Sequence, residues 1–250
     1  MTEEENVSIN ARALTLISHK LKTPLSIING YSEAILSQAG KEKFSPFTSK
    51  ALEEINKQGG KMSQLVDKLL AFNKVITAQH EGMEKQSVLL KPLIKECASK
   101  AITLEEECAL PVRPQEDSSV KRGTFVEIYC PERLSVTANE EMLRLCVQEL
   151  LANAIKFNNK MEKIIKVQCA NHGDSISLSV RDYGAGIRPQ DVNRIFEPFY
   201  QVDDFFTGQI SGWGLGLPMV KRILDLHNGS ISVVSDRGLG SIFTINFPVL

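Results

Sequence analysis

A histidine, a threonine and a proline lie close together in a helix-like stretch near the start of the chain. The stretch is LTLISHKLKTPLSIINGYSEAIL, residues 14–36, and it contains His19, Thr23 and Pro24. At 100° per residue, His19 lies about 200° around the helix from the apolar Leu21 and therefore faces water, with Thr23 on its own side. Pro24 lacks an amide hydrogen and is expected to bend the helix. Alone, this pattern also fits an ordinary surface histidine.

A second group of polar residues lies on one face of a predicted helix in QELLANAIKFN, residues 148–158. Glu149, Asn153, Lys156 and Phe157 are spaced three or four residues apart, or adjacent, so their side chains share a side. A carboxylate and an amide oxygen are hard ligands that suit Mg²⁺, and a lysine supplies a point charge for a phosphate. A solvated polar face would look the same when taken by itself.

Two glycine-containing segments follow. In RDYGAGI, Asp182 could accept a hydrogen bond from an exocyclic amine such as that of adenine, and Gly184 and Gly186 allow backbone to approach a flat ring. In SGWGLGLPMVKRIL, three glycines precede a predicted helix, whose free amides would form an anion site. These are Gly212, Gly214 and Gly216. The polar segment FEPFYQVDDFFTGQISG between them is typical of a mobile flap over a nucleotide.

The elements that must position these residues divide the chain in two. Residues 1–80 are predicted to form two long helices with apolar positions seven apart, the repeat of a coiled-coil seam. One seam set is Leu14, Leu21, Ile28 and Ile35, and the other is Ile55, Met62, Leu69 and Ile76. Such a hairpin buries little by itself, so we expect a dimer with a four-helix bundle. The pair Gly59 and Gly60 is a possible hinge within the second helix.

Residues 81–86 are predicted to be a linker, and residues 87–250 alternate helical and strand-like segments of an α/β domain. The predicted strands are TFVEIYC, KIIKVQCA, SISLSVRD and a terminal pair about a glycine turn. Residues 105–123 are predicted to be a loop. The fold class is therefore an antiparallel helical hairpin followed by an α/β sandwich.

Composition excludes several functions. The 250 residues carry a formal net charge of −1 with no basic run, so a nucleic-acid surface is not indicated. No stretch approaches the ~20 apolar residues that span a bilayer. The five cysteines form no CxxC pair, and we interpret them as buried reduced thiols rather than as disulfides or a zinc site.

Six motifs in order carry a resemblance: SHKLKTPL, ELLANAIKF, DYGAGI, FEPFYQ, GWGLGL and GLGSIFTINFP. Together they resemble the H, N, G1, F, G2 and G3 boxes of the transmitter core of sensor histidine kinases in two-component signalling. The resemblance implies a dimeric phosphotransfer hairpin and an ATP-binding α/β sandwich like that of gyrase and heat-shock-chaperone ATPases. It implies attack by a neutral imidazole nitrogen on the γ-phosphorus of ATP, with Mg²⁺ offsetting charge, and then transfer to an aspartate of a response-regulator receiver domain.

The resemblance also assigns roles. His19 would be the phosphoacceptor, Thr23 would orient water for dephosphorylation of the regulator, and Asp182 would read adenine. Asn153 would bind Mg²⁺, with tentative help from Glu149. The remaining ATP-binding positions are Lys156, Phe157, Gly184, Gly186, Ile187, Gly212, Gly214, Leu215, Gly216, Leu217 and Ser241.

Two positions depart from the family pattern. Lys20 stands where the family has Glu or Asp, and lysine cannot accept a hydrogen bond from the other ring nitrogen. We expect slower autophosphorylation with retained phosphatase action, although another group could serve as base and leave Lys20 without effect. Glu149 stands where many relatives have Asn, and its expected role is metal support, with water activation as the alternative.

Three functions remain open on sequence alone. The first is an ATP-dependent protein-histidine kinase, and the second is a nucleotide-binding adaptor or regulator phosphatase with weak kinase activity. The third is a stand-alone ATPase. We expect a cytoplasmic homodimer, with a membrane reached only through a sensor region outside this sequence.

Overall fold

The computed structural model describes residues 21–22, 25–35, 45–108, 123–202 and 213–249, except the side chains of 46 and 104–108. The chain divides into two compact units, Met1–Ala78 and Gln79–Leu250. The predicted division between a helical part and an α/β part follows the same boundary within a few residues, while the functional domain ranges stay predictions.

Among its described residues, the first unit contains two helices, α1 over residues 25–35 and α2 over Pro46–Thr77. Ser45 caps α2 by accepting a hydrogen bond from the Thr48 amide at 3.1 Å, and Pro46 follows at the first helical position, where its missing amide costs nothing. Lys22 pairs with Asp67 at 2.6 Å, and Asn29 contacts Ser63 at 3.4 Å. Because later residues of one helix meet earlier residues of the other, the hairpin is antiparallel.

Several predicted seam residues do not pack inside the hairpin of one chain. Ile28, Ile55 and Met62 are 46%, 47% and 47% exposed, whereas Leu25 and Val66 are buried. Two helices in contact can cover only one side of each other, so a second apolar stripe stays open in a single chain. The heptad pattern therefore predicts a surface of the hairpin rather than the contact between its helices.

The second unit is built on a five-stranded sheet in the order β2-β4-β5-β7-β6. Its strands are β2 Gly123–Tyr129, β4 Glu162–Asn171, β5 Ser175–Arg181, β6 Ser230–Asp236 and β7 Gly240–Pro248. Only β2 and β4 are parallel, and the other neighbours are antiparallel. A separate antiparallel pair joins β1 Gln86–Leu89 to β3 Ser135–Ala138, so the last residue of the predicted linker, Gln86, begins a strand.

Three helices cover one face of this sheet and complete the predicted two-layer sandwich. They are α3 Leu90–Cys108, α4 Glu140–Lys156 and α5 Gly216–Leu226. α4 packs between α3 and α5. Alternate residues of the central strands, such as Val167, Val180 and Phe243, are opposite one another and buried. α3 extends through Cys108, so the predicted loop at 105–123 begins four residues too early.

The described thiols agree with the sequence interpretation: Cys97, Cys130, Cys146 and Cys169 are buried and free. Burial raises the pKa of the Cys146 thiol well above its ordinary value. None of the helices in the described parts of the chain combines the length and apolar character that a bilayer crossing requires.

Candidate functional site

α4 presents the polar residues that the sequence places on one helix face. Asn139 caps the helix by accepting from the Met142 amide at 3.1 Å, and Glu140 and Glu141 occupy the first turn, where the helix dipole favours negative charge. One side of α4 is buried in the sandwich. Asn153 is half-buried and lies one turn after the buried Glu149, so the two side chains share a side as predicted.

Glu149 lies at the beginning of α5. A Cβ atom on Gly216, the first residue of that helix, would overlap Oε2 of Glu149. The glycine thus allows a carboxylate of α4 to reach the start of α5. This contact joins two of the motifs that the sequence analysis treats separately, the polar face of α4 and the glycine-rich start of α5.

The end of α4 holds the turn that carries Asp182. The Phe157 carbonyl accepts a hydrogen bond from the Ala185 amide at 3.1 Å, and a Cβ on Gly184 would overlap the same carbonyl oxygen. Lys156 places its Nζ 4.6 Å from the centroid of the Phe157 ring. In the structure, Gly184 therefore makes room for the protein's own backbone.

Asp182 follows β5 and is 5% exposed. Its Oδ1 accepts hydrogen bonds from the amides of Gly184 at 2.8 Å and Ser241 at 3.3 Å. Burial raises the pKa of this carboxyl, and the backbone amides act in the opposite direction because they stabilise the charged form. One carboxylate oxygen is thus fixed in orientation by two separate loops.

The C-terminal hairpin β6–β7 approaches the same turn. Gly186 has φ 66°, and a Cβ there would overlap the carbonyl of Asp236. The Ile187 amide donates to Ser235 Oγ at 2.8 Å, and the Gly238 amide donates to the Ala185 carbonyl at 2.7 Å. The close approach requires glycine here, both for the positive φ and for the space.

The described part of the glycine-rich segment before α5 packs against the segment ahead of it. Gly214 has φ 65°, its carbonyl accepts from the Phe199 amide at 2.9 Å, and a Cβ would lie 2.6 Å from the Tyr200 carbonyl oxygen. Leu215 is buried and Leu217 is half-buried. These contacts hold both ends of the predicted flap, whose residues 203–212 lie outside the described residues.

A buried carboxylate missed by the sequence analysis anchors the segment ahead of the flap. Asp191 is 2% exposed, and it accepts from the Tyr200 hydroxyl and from Arg188 Nε, each at 2.7 Å. The Tyr200 hydrogen bond and then Arg188 lower the pKa of Asp191. The sequence signal was an acid between a turn and an aromatic motif, which does not reveal burial.

Two further residues near the site also escaped the sequence analysis. Asn158 is 1% exposed, and its Nδ2 has no hydrogen-bond partner among the described residues, while a Cβ on Gly184 would lie 2.9 Å from its Cα. Ser235 Oγ accepts from the Ile187 amide and donates to the carbonyl of Gly240, the first residue of β7. Neither a second asparagine after a helix nor a serine in a strand stands out in sequence.

Four predicted site residues cannot be placed. His19, Lys20, Thr23 and Gly212 lie outside the described residues, and so does Pro24. The other predicted positions of the second unit do come together, because α4, the turn after β5, the start of α5 and the β6–β7 hairpin contact one another. The described residues thus bring together the nucleotide motifs but leave the histidine motif as a prediction.

This arrangement offers a fixed hydrogen-bond acceptor beside glycine turns at one end, and a carboxylate, an amide and a helix start at the other. In the described part of the chain no three histidine, cysteine, aspartate or glutamate side chains cluster as a metal site would need. Mg²⁺ commonly binds one or two protein oxygens plus substrate phosphates, and Glu149 with Asn153 fits that smaller donor set. The site therefore has the chemistry for a Mg²⁺-nucleotide.

Family comparison agrees with both halves of this architecture. Residues 138–250 match the family described as "Histidine kinase-, DNA gyrase B-, and HSP90-like ATPase", and residues 10–77 match the "His Kinase A (phospho-acceptor) domain". The fold of the second unit is therefore that of this ATPase class over residues 138–250.

Curated relatives align with the chain across both matched regions. The phosphate regulon sensor protein PhoR of Pseudomonas aeruginosa is 29% identical over 231 residues, covering 92% of this chain and 48% of the relative. The sensor histidine kinase YkoH of Bacillus subtilis is 32% identical over 230 residues, covering 92% of this chain and 46% of the relative. The chain spans about half the length of the curated relatives it matches.

A solved structure has the same fold over nearly the whole chain. Full-length ShkA, crystallised in complex with AMPPNP, superposes with a TM-score of 0.69 at 24% identity, covering 95% of this chain and 45% of that one. With two matching domains in order and these relatives, the chain belongs to the sensor histidine kinases of two-component systems, of which it contains the transmitter core.

Proposed function

We propose that this chain is an ATP-dependent protein-histidine kinase that phosphorylates itself on His19. The phosphoryl group would then pass to an aspartate on the receiver domain of a response regulator. The observation that carries the proposal is the set of contacts that brings Asp182, the end of α4 and the start of α5 into one site. These motifs are distant in sequence, and one nucleotide that contacts all of them would account for their meeting.

Asp182 would accept a hydrogen bond from the exocyclic amine of adenine, because two backbone amides hold its Oδ1 and none of its partners in the described part of the chain is a cation. Ile187, Gly184 and Gly186 would line the base, with Phe157 beside them. Asn158 Nδ2, a buried donor, fits a site that awaits an acceptor.

The phosphates would lie toward α5, where Gly214, Leu215, Gly216 and Leu217 form the start of the helix and its approach. Gly212 would join them. Lys156 would contribute positive charge. Asn153 and Glu149 would hold Mg²⁺, which when bound offsets the negative charge of the phosphates. Glu149 would keep that role through its position at Gly216, and water activation remains the alternative.

His19 would attack as the neutral imidazole. A bond forms between a ring nitrogen and the γ-phosphorus, the bond from that phosphorus to the bridging oxygen breaks, and ADP leaves. Thr23 would orient a water molecule when the phosphorylated regulator is hydrolysed. The unit containing residues 1–80 would serve as phosphotransfer and dimerisation domain, and residues 87–250 as ATP-binding domain.

Lys20 would slow the forward reaction, because its charge opposes the positive charge that develops on the ring and it cannot accept the proton. Replacing Lys20→Glu is therefore expected to accelerate incorporation of label from γ-³²P-ATP, with regulator dephosphorylation unchanged. An unchanged rate would mean that another group is the base.

The homodimer would form through the exposed apolar stripe of the hairpin, which contains Ile28, Ile55 and Met62. We place the chain in the cytoplasm, where its regulator would be found, and any membrane contact would come from a sensor region outside it. Neither proposal changes the chemistry of the nucleotide site.

One experiment separates the competing functions. The full chain is incubated with γ-labelled ATP and Mg²⁺, and wild type is compared with His19→Gln. Acid-labile, alkali-stable label that disappears in the variant is the expected result. Bound ATP without label would favour an adaptor or phosphatase, and phosphate release independent of His19 would favour a stand-alone ATPase.

A further inference from the structure

Ser235, on β6, connects two loops of the nucleotide site. Its Oγ lies 2.8 Å from the Ile187 amide nitrogen, 3.0 Å from the Gly240 carbonyl oxygen and 2.9 Å from Ser241 Oγ. Ile187 belongs to the turn that follows Asp182, whereas Gly240 and Ser241 begin β7. A single half-buried hydroxyl therefore joins the turn with the C-terminal hairpin.

The proton count of this hydroxyl fixes the direction of each bond. A serine hydroxyl has one hydrogen to donate and can accept two. The Ile187 amide can only donate, and the Gly240 carbonyl can only accept, so Ser235 gives its proton to Gly240. Toward Ser241 it is left as an acceptor, and Ser241 must donate.

Ser241 consequently has no proton left for another partner. The residue is 6% exposed, and its backbone is paired with Asp182: its carbonyl accepts from the Asp182 amide at 2.9 Å, and its amide donates to Asp182 Oδ1 at 3.3 Å. Toward any further partner, the Ser241 hydroxyl can therefore offer only lone pairs.

We propose that Ser235 is a positioning residue that fixes Ser241 as a hydrogen-bond acceptor and so sharpens the preference for a 6-amino purine over a 6-oxo purine. The inference rests on the proposed nucleotide site and adds a specificity determinant to it. With Asp182 and Ser241 both acting as acceptors, the site would favour a base that carries an amine at position 6. A 6-oxo group would place its own lone pairs against the lone pairs of these acceptors.

The test is equilibrium binding of ADP and IDP to the full chain by calorimetry. In Ser235→Ala the Ser241 hydroxyl regains a free proton, so ADP is expected to bind about fivefold more weakly while IDP affinity changes less than about twofold. Ser235→Thr keeps the hydroxyl and is expected to restore the wild-type ratio. Ser232→Ala, an exposed serine on the same strand, is the matched control.

Ser241→Ala provides a second route if Ser235→Ala does not fold, since it removes the acceptor and keeps the bonds of Ser235 to Ile187 and Gly240. Ser241→Ala is likewise expected to reduce the preference for ADP over IDP, measured as the ratio of the two affinities. Equal weakening of both nucleotides with a lower melting temperature would overturn the inference, because it would mark a structural role alone. An unchanged ratio would also overturn it.

Binding data distinguish a wrong role for Ser235 from a wrong proposed function. If wild type binds ADP and Ser235→Ala discriminates as wild type does, only the role of Ser235 is refuted. If wild type binds neither nucleotide, the proposed function is refuted and this inference with it.

Discussion

Asp182 combines two opposing influences on one carboxyl group. Burial disfavours its charge, and amides from two different loops favour it. Such a carboxylate costs free energy to bury, which is offset when it also binds a ligand donor. Asp182 thus contributes to the fold through its backbone partners and would also bind the ligand.

Replacing Asp182→Asn is expected to weaken ADP binding by about 10–100-fold, since hydrogen bonds to charged groups contribute about 1.5–3 kcal/mol. The asparagine oxygen can still accept from Gly184, so the melting temperature should change little. Binding is measured by calorimetry, with the exposed Asp174→Asn as control. Wild-type affinity in Asp182→Asn would refute its role in recognising the base.

Sequence reasoning reached the residues whose type signals chemistry, but not those whose role depends on neighbours. Asp182, Asn153 and Lys156 were predicted as site residues because residue type and spacing mark them, and their roles stay predictions. Ser235 could not be predicted, because it contacts the Ile187 amide, which is distant in sequence. Asp191 could not, because nothing in its local sequence shows that it is buried against Tyr200 and Arg188.

At the scale of elements, the two adjacent glycines in α2 differ in surroundings. A Cβ on Gly60 would meet nothing within 4 Å, whereas a Cβ on Gly59 would overlap Oδ1 of Asn29 in α1. The predicted hinge thus contains one glycine, Gly59, that helix packing requires and one, Gly60, that it does not.

Gly60→Ala is expected to stabilise the hairpin by about 1 kcal/mol, the usual gain of alanine over glycine in a helix. Gly59→Ala should lose that gain, because Asn29 must move away from Ser63. Hydrogen exchange of the α2 amides in the full chain measures both. The account of Gly59 would be wrong if the two variants were equally protected.

A buried imidazole links α5 to the start of α4. His227 Nε2 accepts from the Asn139 amide at 2.9 Å, which leaves Nδ1 to donate to the Ile223 carbonyl at 2.7 Å. Burial lowers the pKa of His227, and the charges of Lys85 and His80 act in the same direction. Protonation of His227 would place a hydrogen on Nε2, where it would face the hydrogen of the Asn139 amide.

Because the folded pKa of His227 lies below its unfolded value of about 6.5, the unfolded chain binds more protons as pH falls. His227 should contribute full stability above about pH 6.5 and lose it below, by at most about 1.4 kcal/mol per pH unit. Urea unfolding at several pH values should show that the free energy of unfolding depends less steeply on pH in His227→Gln than in wild type. Parallel slopes would contradict this.

The order and type of the elements followed from periodicity, while their ends and partners did not. β4 and β5 were predicted because their apolar residues alternate, and β6 and β7 were predicted as a strand pair about a glycine turn. β1 and β3 are four residues each, too short to show a pattern, and they pair across an intervening helix. The heptad stripe was predicted, but periodicity indicates a face without showing whether the other helix or a second chain covers it.

For the whole molecule, the uncovered stripe on the hairpin predicts self-association. Ile28→Glu would place a charge in the stripe and is expected to convert a dimer into a monomer, as measured by light scattering after size-exclusion chromatography. Lys57→Glu, at an exposed position on α2, is the control and should stay dimeric. A wild type that is monomeric at about 50 µM would refute the dimer.

The central claim is that a phosphoryl group held by the second unit reaches the imidazole of the first. Its most direct measurement is mass-spectrometric location of phosphate, under neutral conditions, after incubation of the full chain with ATP and Mg²⁺. The account predicts phosphohistidine at His19 in wild type and its loss in Asp182→Asn. Phosphate on another residue, or an unmodified His19 in a chain that binds ATP, would contradict it.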